Sequence, residues 1–214
     1  MPAVRLKNAR GRTKSSTKWL SRQLNDPYVA QAKKDGYRSR AAYKLLELDS
    51  KFKFLKKDAV IVDLGNAPGG WTQVAVQKKP SFVVGIDLLP VKPLQGAISI
   101  MGDFTDEKEQ EKLLELLGGR RADVVLSDIA PNTTGVKNID HLRLVGILEE
   151  VILFSQQILK EGGTLVMKVF DGGTLQNMLS DLKKKFKAVK HVKPPASRKE
   201  SKEFYFVAQG FKGI

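Results

Sequence analysis

The stretch Val60–Trp71 constrains this chain most, because it joins a strand suited to burial to a loop rich in glycine. It reads Val-Ile-Val-Asp-Leu-Gly-Asn-Ala-Pro-Gly-Gly-Trp, and its β-branched start is typical of a strand covered on both faces. Gly65, Gly69 and Gly70 let the main chain approach a ligand closely, and Asp63 places a carboxylate near the end of the strand. The pattern predicts a nucleoside-binding loop in an α/β fold.

Three kinds of glycine loop occur at such a position, and their spacing separates them. A dinucleotide-binding loop has a second glycine two residues after the first, where this chain has Ala67 followed by Pro68. A phosphate-binding P-loop has Lys and then Ser or Thr after its last glycine, where this chain has Trp71. The looser loop of S-adenosylmethionine enzymes remains, because their ligand carries no pyrophosphate. The alternative is a plain Gly-Pro turn that leaves a buried strand.

Acidic residues end three further apolar stretches. Asp87 lies 22 residues after Gly65, which is about where nucleotide-binding α/β folds hold a ribose diol. Asp103 and Phe104 end the next stretch and suit an adenine, one as an acceptor for its amine and one as a packing surface. Asp128 ends the last. Parallel strands would bring these acids to one sheet edge, although each acid could instead cap a helix. The predicted cofactor-binding residues are Asp63, Gly65, Pro68, Gly69, Gly70, Trp71, Asp87, Leu88, Asp103, Phe104 and Asp128.

Length and composition limit the other possibilities. At 214 residues the chain can bury one core, so we expect a single domain with a basic arm over residues 1–39 and a core over 40–214. It has no cysteine, and its histidines, His141 and His191, lie far apart in sequence, so we expect no metal site. No run of 18 apolar residues occurs, so we expect no membrane span. The basic start would also suit an organelle transit peptide.

Charge is segregated along the chain. Residues 1–57 carry a net charge of +12, residues 58–182 carry −6, and residues 183–202 carry +8. Two basic flanks around an acidic core favour a polyanionic partner, most simply nucleic acid. The alternative is a soluble surface that is merely rich in lysine.

The hydrophobic pattern predicts a mostly parallel sheet of seven strands with helices on both faces. Helices are expected over about 40–52, 71–77, 106–117 and 139–160, and the last three strands over about 164–169, 186–192 and 203–209. Gly162 and Gly163 are expected to end the longest helix. The last two strands are predicted to pair in antiparallel fashion at a sheet edge.

Six segments occur in this order: Ser-Thr-Lys-Trp-Leu, Gly-Tyr-Arg-Ser-Arg-Ala-Ala-Tyr-Lys-Leu, Asp-Leu-Gly-Asn-Ala-Pro-Gly-Gly-Trp, Ser-Asp-Ile-Ala-Pro-Asn, Val-Met-Lys-Val-Phe and Ser-Lys-Glu-Phe-Tyr. Together they resemble the FtsJ/RrmJ family of RNA 2'-O-methyltransferases over essentially the whole chain, in its short bacterial ribosomal form. The resemblance implies a Rossmann-like methyltransferase fold that uses S-adenosylmethionine. Asn66 departs from the family pattern, which has a small apolar residue or Ser there, but the main chain is expected to do the binding at that position.

The resemblance also implies a catalytic set of Lys, Asp, Lys and Glu, carried here by Lys44, Asp128, Lys168 and Glu203. A ribose hydroxyl is a poor nucleophile that must lose its proton during in-line methyl transfer, so placement is most of the catalysis. Glu200 is the local rival for the fourth position, but the spacing to the following Phe-Tyr pair favours Glu203.

Lys168 is expected to orient the hydroxyl or to take its proton. It lies in the apolar stretch Leu165–Phe170, where a charged side chain is costly unless it is paired or functional. The alternative is a lysine that protects an edge strand against aggregation.

The family resemblance implies methylation of a uridine ribose in large-subunit ribosomal RNA, on the assembled subunit, by a cytoplasmic enzyme expected to be a monomer. Two alternatives stay open. One is a tRNA ribose methyltransferase, which shares the catalytic set; the other is an RNA-binding protein that has the fold without the activity. The compact chain favours ribosomal RNA, and the intact set of four residues argues for an enzyme.

Overall fold

The computed structural model describes Gly11 and residues 13–130, 135–170 and 175–213. The first ten residues of the predicted arm lie outside that range, as do residue 12 and residues 131–132 behind Asp128. The helices are α1 Lys14–Leu24, α2 Pro27–Lys34, α3 Ala41–Phe52, α4 Gly70–Gln77, α5 Glu107–Leu117, α6 Lys137–Ile158 and α7 Leu175–Lys185. The strands are β1 Val60–Leu64, β2 Phe82–Asp87, β3 Ile98–Met101, β4 Ala122–Ser127, β5 Leu159–Phe170, β6 Phe186–Val192 and β7 Glu203–Phe211.

The strands form one seven-stranded sheet in the order β3-β2-β1-β4-β5-β7-β6. The first five strands in this order run parallel, and β7 lies antiparallel between β5 and β6. This confirms the predicted fold class and the antiparallel pairing of the last two strands. The carboxyl ends of β1, β2, β3, β4 and β5 meet at one edge, which also receives the start of β7.

Two apolar layers cover the sheet. Residues of α5, α6 and α7 pack on one face, including Leu113, Phe154 and Leu182. Residues of α3 and α4 pack on the other, including Leu45 and Val74. The central strands are therefore covered on both sides, which explains why their sequences are nearly continuous apolar runs rather than alternating ones.

The predicted end of the longest helix was wrong. Helix α6 ends at Ile158, and Leu159 already begins β5, so Gly162 and Gly163 lie inside a strand. The register of β5 against β4 shifts between the Leu159–Ala122 pair and the Thr164–Val124 pair. The two glycines lie among the extra residues of this bulge. They therefore mark an irregular strand and not the end of a helix.

No helix or strand was predicted for the basic arm, residues 1–39. The described part of the arm nevertheless contains two helices, α1 and α2. Thr13 caps α1 by accepting a hydrogen bond from the Ser16 amide, and Asp26 caps α2 by accepting one from the Tyr28 amide. Pro27 occupies the first position of α2, where its missing N–H has no cost. Both capping signals were present in the sequence. No helix in the described part of the chain is long and apolar enough to cross a membrane.

Candidate active site

Two ion pairs lie side by side at the carboxyl edge of the sheet. Lys44 Nζ is 2.8 Å from Glu203 Oε1, and Lys168 Nζ is 3.2 Å from Asp128 Oδ1. Lys168 also donates a 2.6 Å hydrogen bond to the Asp128 carbonyl oxygen. Both lysine side chains are less than a tenth exposed. The structure therefore brings together the four residues predicted as a catalytic set, whose roles remain predictions.

The strand pairing explains how residues so distant in sequence meet. Lys168 lies directly opposite Tyr205 in the antiparallel pairing of β5 with β7, and Phe170 lies opposite Glu203. Directly opposed residues share a sheet face, so Lys168, Tyr205 and Glu203 face the same side. Asp128 follows the end of β4, the parallel neighbour of β5.

Tyr205 connects the two ion pairs, and sequence reasoning missed it. Lys44 Nζ donates to the tyrosine hydroxyl at 3.1 Å, and the hydroxyl donates to Asp128 Oδ1 at 2.7 Å. The ring is fully buried and packs against Trp71, with the ring centroids 5.6 Å apart. An aromatic residue in a strand is typical of core packing, so nothing in the pattern distinguished this hydroxyl.

The electrostatics of this cluster favour an ionised Asp128. Burial alone would raise the pKa of Asp128, but the positive charges of Lys168 and Lys44 outweigh it, so the pKa lies below its ordinary value. Burial, with the negative charges of Asp128 and Glu203, raises the pKa of Tyr205 well above normal. The tyrosine therefore stays a neutral donor at physiological pH.

The structure also bears on two alternatives. Glu200, the rival of Glu203, lies at the surface with Arg22 as its partner at 3.9 Å. Lys168 lies on β5, which has neighbours on both sides, so it does not protect an edge strand.

A cleft of about 370 Å³ opens at the same sheet edge, within the size range of small-molecule sites. The predicted cofactor-binding residues that line it are Gly65, Asp87, Leu88, Asp103, Phe104 and Asp128. Gly65 has a φ of +75°, and a Cβ there would collide with a side-chain carbon of Ile129. Only glycine fits that position, which keeps the wall of the cleft open.

Asp87 organises the loop beside the cleft. Its Oδ2 accepts a 2.8 Å hydrogen bond from the Ala67 amide, and its Oδ1 accepts a 2.9 Å hydrogen bond from the Leu89 amide. A carboxylate has about four acceptor positions, so two remain for a ligand. Asp103, next along the wall, accepts from both the amide and the hydroxyl of Thr105.

The other predicted cofactor-binding residues do not line this cleft, and their role in binding stays a prediction. Trp71 is buried and donates its indole N–H to the Ala41 carbonyl oxygen at 2.8 Å. A Cβ on Gly69 would meet the Arg38 guanidinium, and one on Gly70 would meet the Ser39 hydroxyl. The Pro68 carbonyl oxygen accepts a 3.4 Å hydrogen bond from Arg38. These residues hold the loop against the segment that leads into α3.

Asp63, near the end of β1, and Asn66, in the loop itself, are both buried. Asp63 is completely buried and accepts a 2.7 Å hydrogen bond from the Thr72 hydroxyl. Asn66, the departure from the family pattern, is buried and donates to the Ser99 hydroxyl at 2.8 Å, which ties the loop to β3. Burial raises the pKa of Asp63 to about 7, because the negative charges of Asp128 and Asp87 add to it and the Thr72 hydrogen bond only partly offsets it.

We expect Asp63→Asn to change the pH dependence of stability. A folded-state pKa of about 7 lies above the unfolded value, so this group binds a proton more tightly in the folded protein. The stability that this tighter proton binding gives the folded wild-type protein is fully present below about pH 4 and is lost as the pH rises through about 7. Relative to wild type, the variant should gain up to about 4 kcal/mol in free energy of unfolding over this range.

Urea unfolding of both proteins from pH 4 to pH 8 measures that gain. A difference in unfolding free energy that stays constant across this range would mean that Asp63 titrates normally. The asparagine of the variant keeps an oxygen acceptor for the Thr72 hydroxyl, so loss of the hydrogen bond does not confuse the comparison.

Comparison with known proteins identifies one family whose members match the part of the chain that contains the ion pairs and the cleft. A family model described as FtsJ-like methyltransferase matches residues 37–211. A protein of Gluconobacter oxydans named ribosomal RNA large subunit methyltransferase E is 56% identical over 98% of this chain and 78% of its own length. One of the same name from Acidiphilium cryptum is 57% identical over 98% of this chain and 93% of its own length.

Among solved structures, one described as a ribosomal RNA methyltransferase from Plasmodium falciparum matches with a TM-score of 0.75 and 35% identity. The match covers 83% of this chain and 100% of that one. The range matched by the family model contains both ion pairs and the whole wall of the cleft.

Proposed function

Since the chain belongs to the FtsJ-like methyltransferase family, we propose that it transfers a methyl group from S-adenosylmethionine to a ribose 2'-hydroxyl of large-subunit ribosomal RNA. One observation carries this proposal: Asp128 lines the cleft and also forms an ion pair with Lys168. A methyl donor in the cleft and a hydroxyl beside Lys168 would therefore be neighbours. Relatives that share more than half of their residues with this chain are named for large-subunit ribosomal RNA methylation.

The residues of the cleft fit the methyl donor. Asp87 keeps two acceptor positions for a ribose diol, Asp103 offers a carboxylate for an adenine amine, and the ring of Phe104 forms part of the wall. The absent side chain of Gly65 leaves space where any other residue would fill it. Bound there, S-adenosylmethionine supplies an electrophilic methyl group on a sulfonium.

Lys168 and its partners provide the rest of the chemistry. Lys168 pairs with Asp128, which lines the cleft. Its ammonium orients the incoming hydroxyl, or its neutral amine, after release of a proton to solvent, accepts the hydroxyl proton during attack. Asp128 holds the Lys168 ammonium in place through both its carboxylate and its carbonyl oxygen. The Lys44–Glu203 pair, connected through Tyr205, fixes the other side of the cluster. Positioning supplies most of the rate enhancement in such a site.

We further propose that the target is a uridine ribose and that the assembled large subunit is the substrate, with the enzyme acting in the cytoplasm as a single-domain monomer. A rigid particle presents a target loop in one conformation, which spares the cost of ordering free RNA. Large subunits from cells that lack the chain, the same RNA freed of protein, and purified tRNA are the three substrates to compare under single-turnover conditions.

Fastest methylation of the subunit supports the assembled large subunit as the substrate. Equal rates on free ribosomal RNA would overturn the assembled-subunit claim alone. Methylation of tRNA without incorporation into ribosomal RNA would promote the tRNA enzyme, and RNA binding without any transfer would identify a non-catalytic binding protein.

The basic segment before β7 should contribute to RNA binding. Lys199 and Lys202 are exposed and precede Glu203 by a few residues. Each phosphate contact to single-stranded RNA steepens the log-log salt dependence of affinity by about 0.7. We expect Lys199→Gln with Lys202→Gln to lower that slope by up to about 1.4 and to weaken RNA binding, with cofactor affinity unchanged.

Replacing Lys56 and Lys57 with Gln gives the matched control. Both are exposed and precede β1, at the sheet edge opposite the cleft. Titrations of RNA at several salt concentrations compare the two double variants. Equal slopes in both would show that the segment before β7 makes no special phosphate contact.

A further inference from the structure

One buried carboxylate joins three segments of the chain near the Lys44–Glu203 pair. Asp26, between α1 and α2, has a side chain that is 5% exposed. Its Oδ2 accepts a 3.0 Å hydrogen bond from Arg198 Nε, and Arg198 Nη2 also lies 3.0 Å away. Arg40 Nε lies 3.0 Å from the same oxygen as an ion pair. Two guanidinium groups therefore converge on one oxygen in a buried place.

The two arginines belong to the elements that carry Lys44 and Glu203. Arg40 immediately precedes α3, one helical turn before Lys44. Arg198 lies in the segment 193–202, which leads directly into Glu203 at the start of β7. Asp26 thus connects the start of α3, which carries Lys44, to the segment that leads into Glu203.

Further contacts make this junction a defined structure. Arg40 Nη2 donates to the Ala196 carbonyl oxygen at 2.6 Å, and the Ala196 amide donates to Glu47 Oε2 at 2.7 Å. Glu47 Oε1 accepts from the Tyr28 hydroxyl at 3.2 Å. The segment 193–202 is thereby fastened to α3 from both sides.

The segment 193–202 is also closed on itself. Lys193 Nζ donates to the Ser201 carbonyl oxygen at 2.6 Å and to the Lys199 carbonyl oxygen at 3.0 Å. These two hydrogen bonds close the segment into a loop, so we expect a displacement of Arg198 to shift Glu203 as well.

We infer that Asp26 is a positioning residue for methyl transfer, an inference that rests on the proposed function. Asp26 fixes the distance between Lys44 and Glu203 because it holds α3 and the segment 193–202 together. It touches none of the reacting groups. Without its charge the two guanidinium groups face each other uncompensated, and like charges repel. The Lys44–Glu203 pair then loses the frame that sets its geometry, while the cleft, on another part of the sheet edge, keeps its shape.

Asp26→Asn isolates this effect. Asparagine caps a helix about as well as aspartate, so α2 keeps its start and only the charge is removed. We expect kcat at saturating RNA and cofactor to fall by about 10- to 100-fold, with the KM for S-adenosylmethionine unchanged within a few-fold. Asp181→Asn is the matched control, because Asp181 has an exposed ion pair with Lys184 and is remote from the cluster.

The double variant Asp26→Asn with Arg198→Gln separates positioning from stability. Removing one guanidinium relieves the repulsion, so the thermal midpoint should recover, whereas kcat should stay low because the tie is still missing. If kcat recovers together with the midpoint, Asp26 acts on folding only and the inference is overturned. Wild-type kcat in Asp26→Asn alone would overturn it equally.

Hydrogen exchange tests the same inference without any activity. The Ala196 amide should exchange faster in Asp26→Asn, because its acceptor Glu47 is held by the same junction, while amides of α5 should not change. Unchanged exchange at Ala196 would contradict the inference. Absence of methyl transfer in the wild-type protein would refute the proposed function instead, so the two failures remain distinguishable.

Discussion

We expect Lys168→Met to lower the rate of methyl transfer by about 100-fold or more, which is the usual range for a group that moves or orients a proton. Methionine keeps most of the apolar stem of lysine, so β5 stays packed while the ammonium beside Asp128 is lost. Cofactor affinity should stay within a few-fold, because the change removes an interaction with the hydroxyl and none with the walls formed by Asp87 and Asp103. Single-turnover transfer and calorimetry measure the two quantities separately.

The matched control is Lys160→Met, on the same strand. Lys160 is exposed and pairs with Asp123 at the far end of β5. It should keep both the rate and the affinity of the wild type. Near-normal transfer by Lys168→Met would remove Lys168 from the chemistry, and parallel loss of rate and affinity would recast it as a cofactor-binding or stability residue.

Asp87→Ala should weaken S-adenosylmethionine binding by roughly 5- to 150-fold. A hydroxyl pair that binding removes from water without giving it acceptors costs about 1 to 3 kcal/mol, which corresponds to that range. The change also frees the Ala67 and Leu89 amides, which adds to the loss in the same direction. Calorimetry with the methyl donor and with its demethylated product measures the effect.

Asp58→Ala serves as its control, since Asp58 is exposed before β1 at the opposite sheet edge. Unchanged affinity in Asp87→Ala would place the donor elsewhere and weaken the assignment of the cleft. Affinity lost in the control as well would point to a general effect of removing negative charge.

The strand ends and the glycine loop could be predicted because local rules determine them. A buried parallel strand needs a continuous apolar run, and a tight loop with φ above zero needs glycine, so Val60–Leu64 and Gly65 were recognisable from the sequence alone. The side chains of Asp87 and Asp103 followed from their places at strand ends. These are short-range features, in which a residue and its neighbours carry the whole signal.

Contacts made across long sequence separations were not predictable in this way. The hydroxyl of Tyr205 acquires its function only when β7 lies beside β5, and its residue type is equally typical of plain core packing. Asp26 was similarly unremarkable until Arg40 and Arg198 met it. Trp71 follows the glycine loop in sequence, yet its ring faces Tyr205 and its indole N–H bonds to Ala41, which sequence adjacency did not reveal.

The place of β7 has a consequence for synthesis of the protein on the ribosome. β7 follows every other strand in the sequence but lies between β5 and β6 in the sheet. A nascent chain that has emerged only as far as β6 therefore has Lys168 and Asp128 but neither Glu203 nor Tyr205 opposite them. We expect such a chain to have no methyl-transfer competence. Activity is therefore expected only after β7 has left the exit tunnel and inserted between β5 and β6.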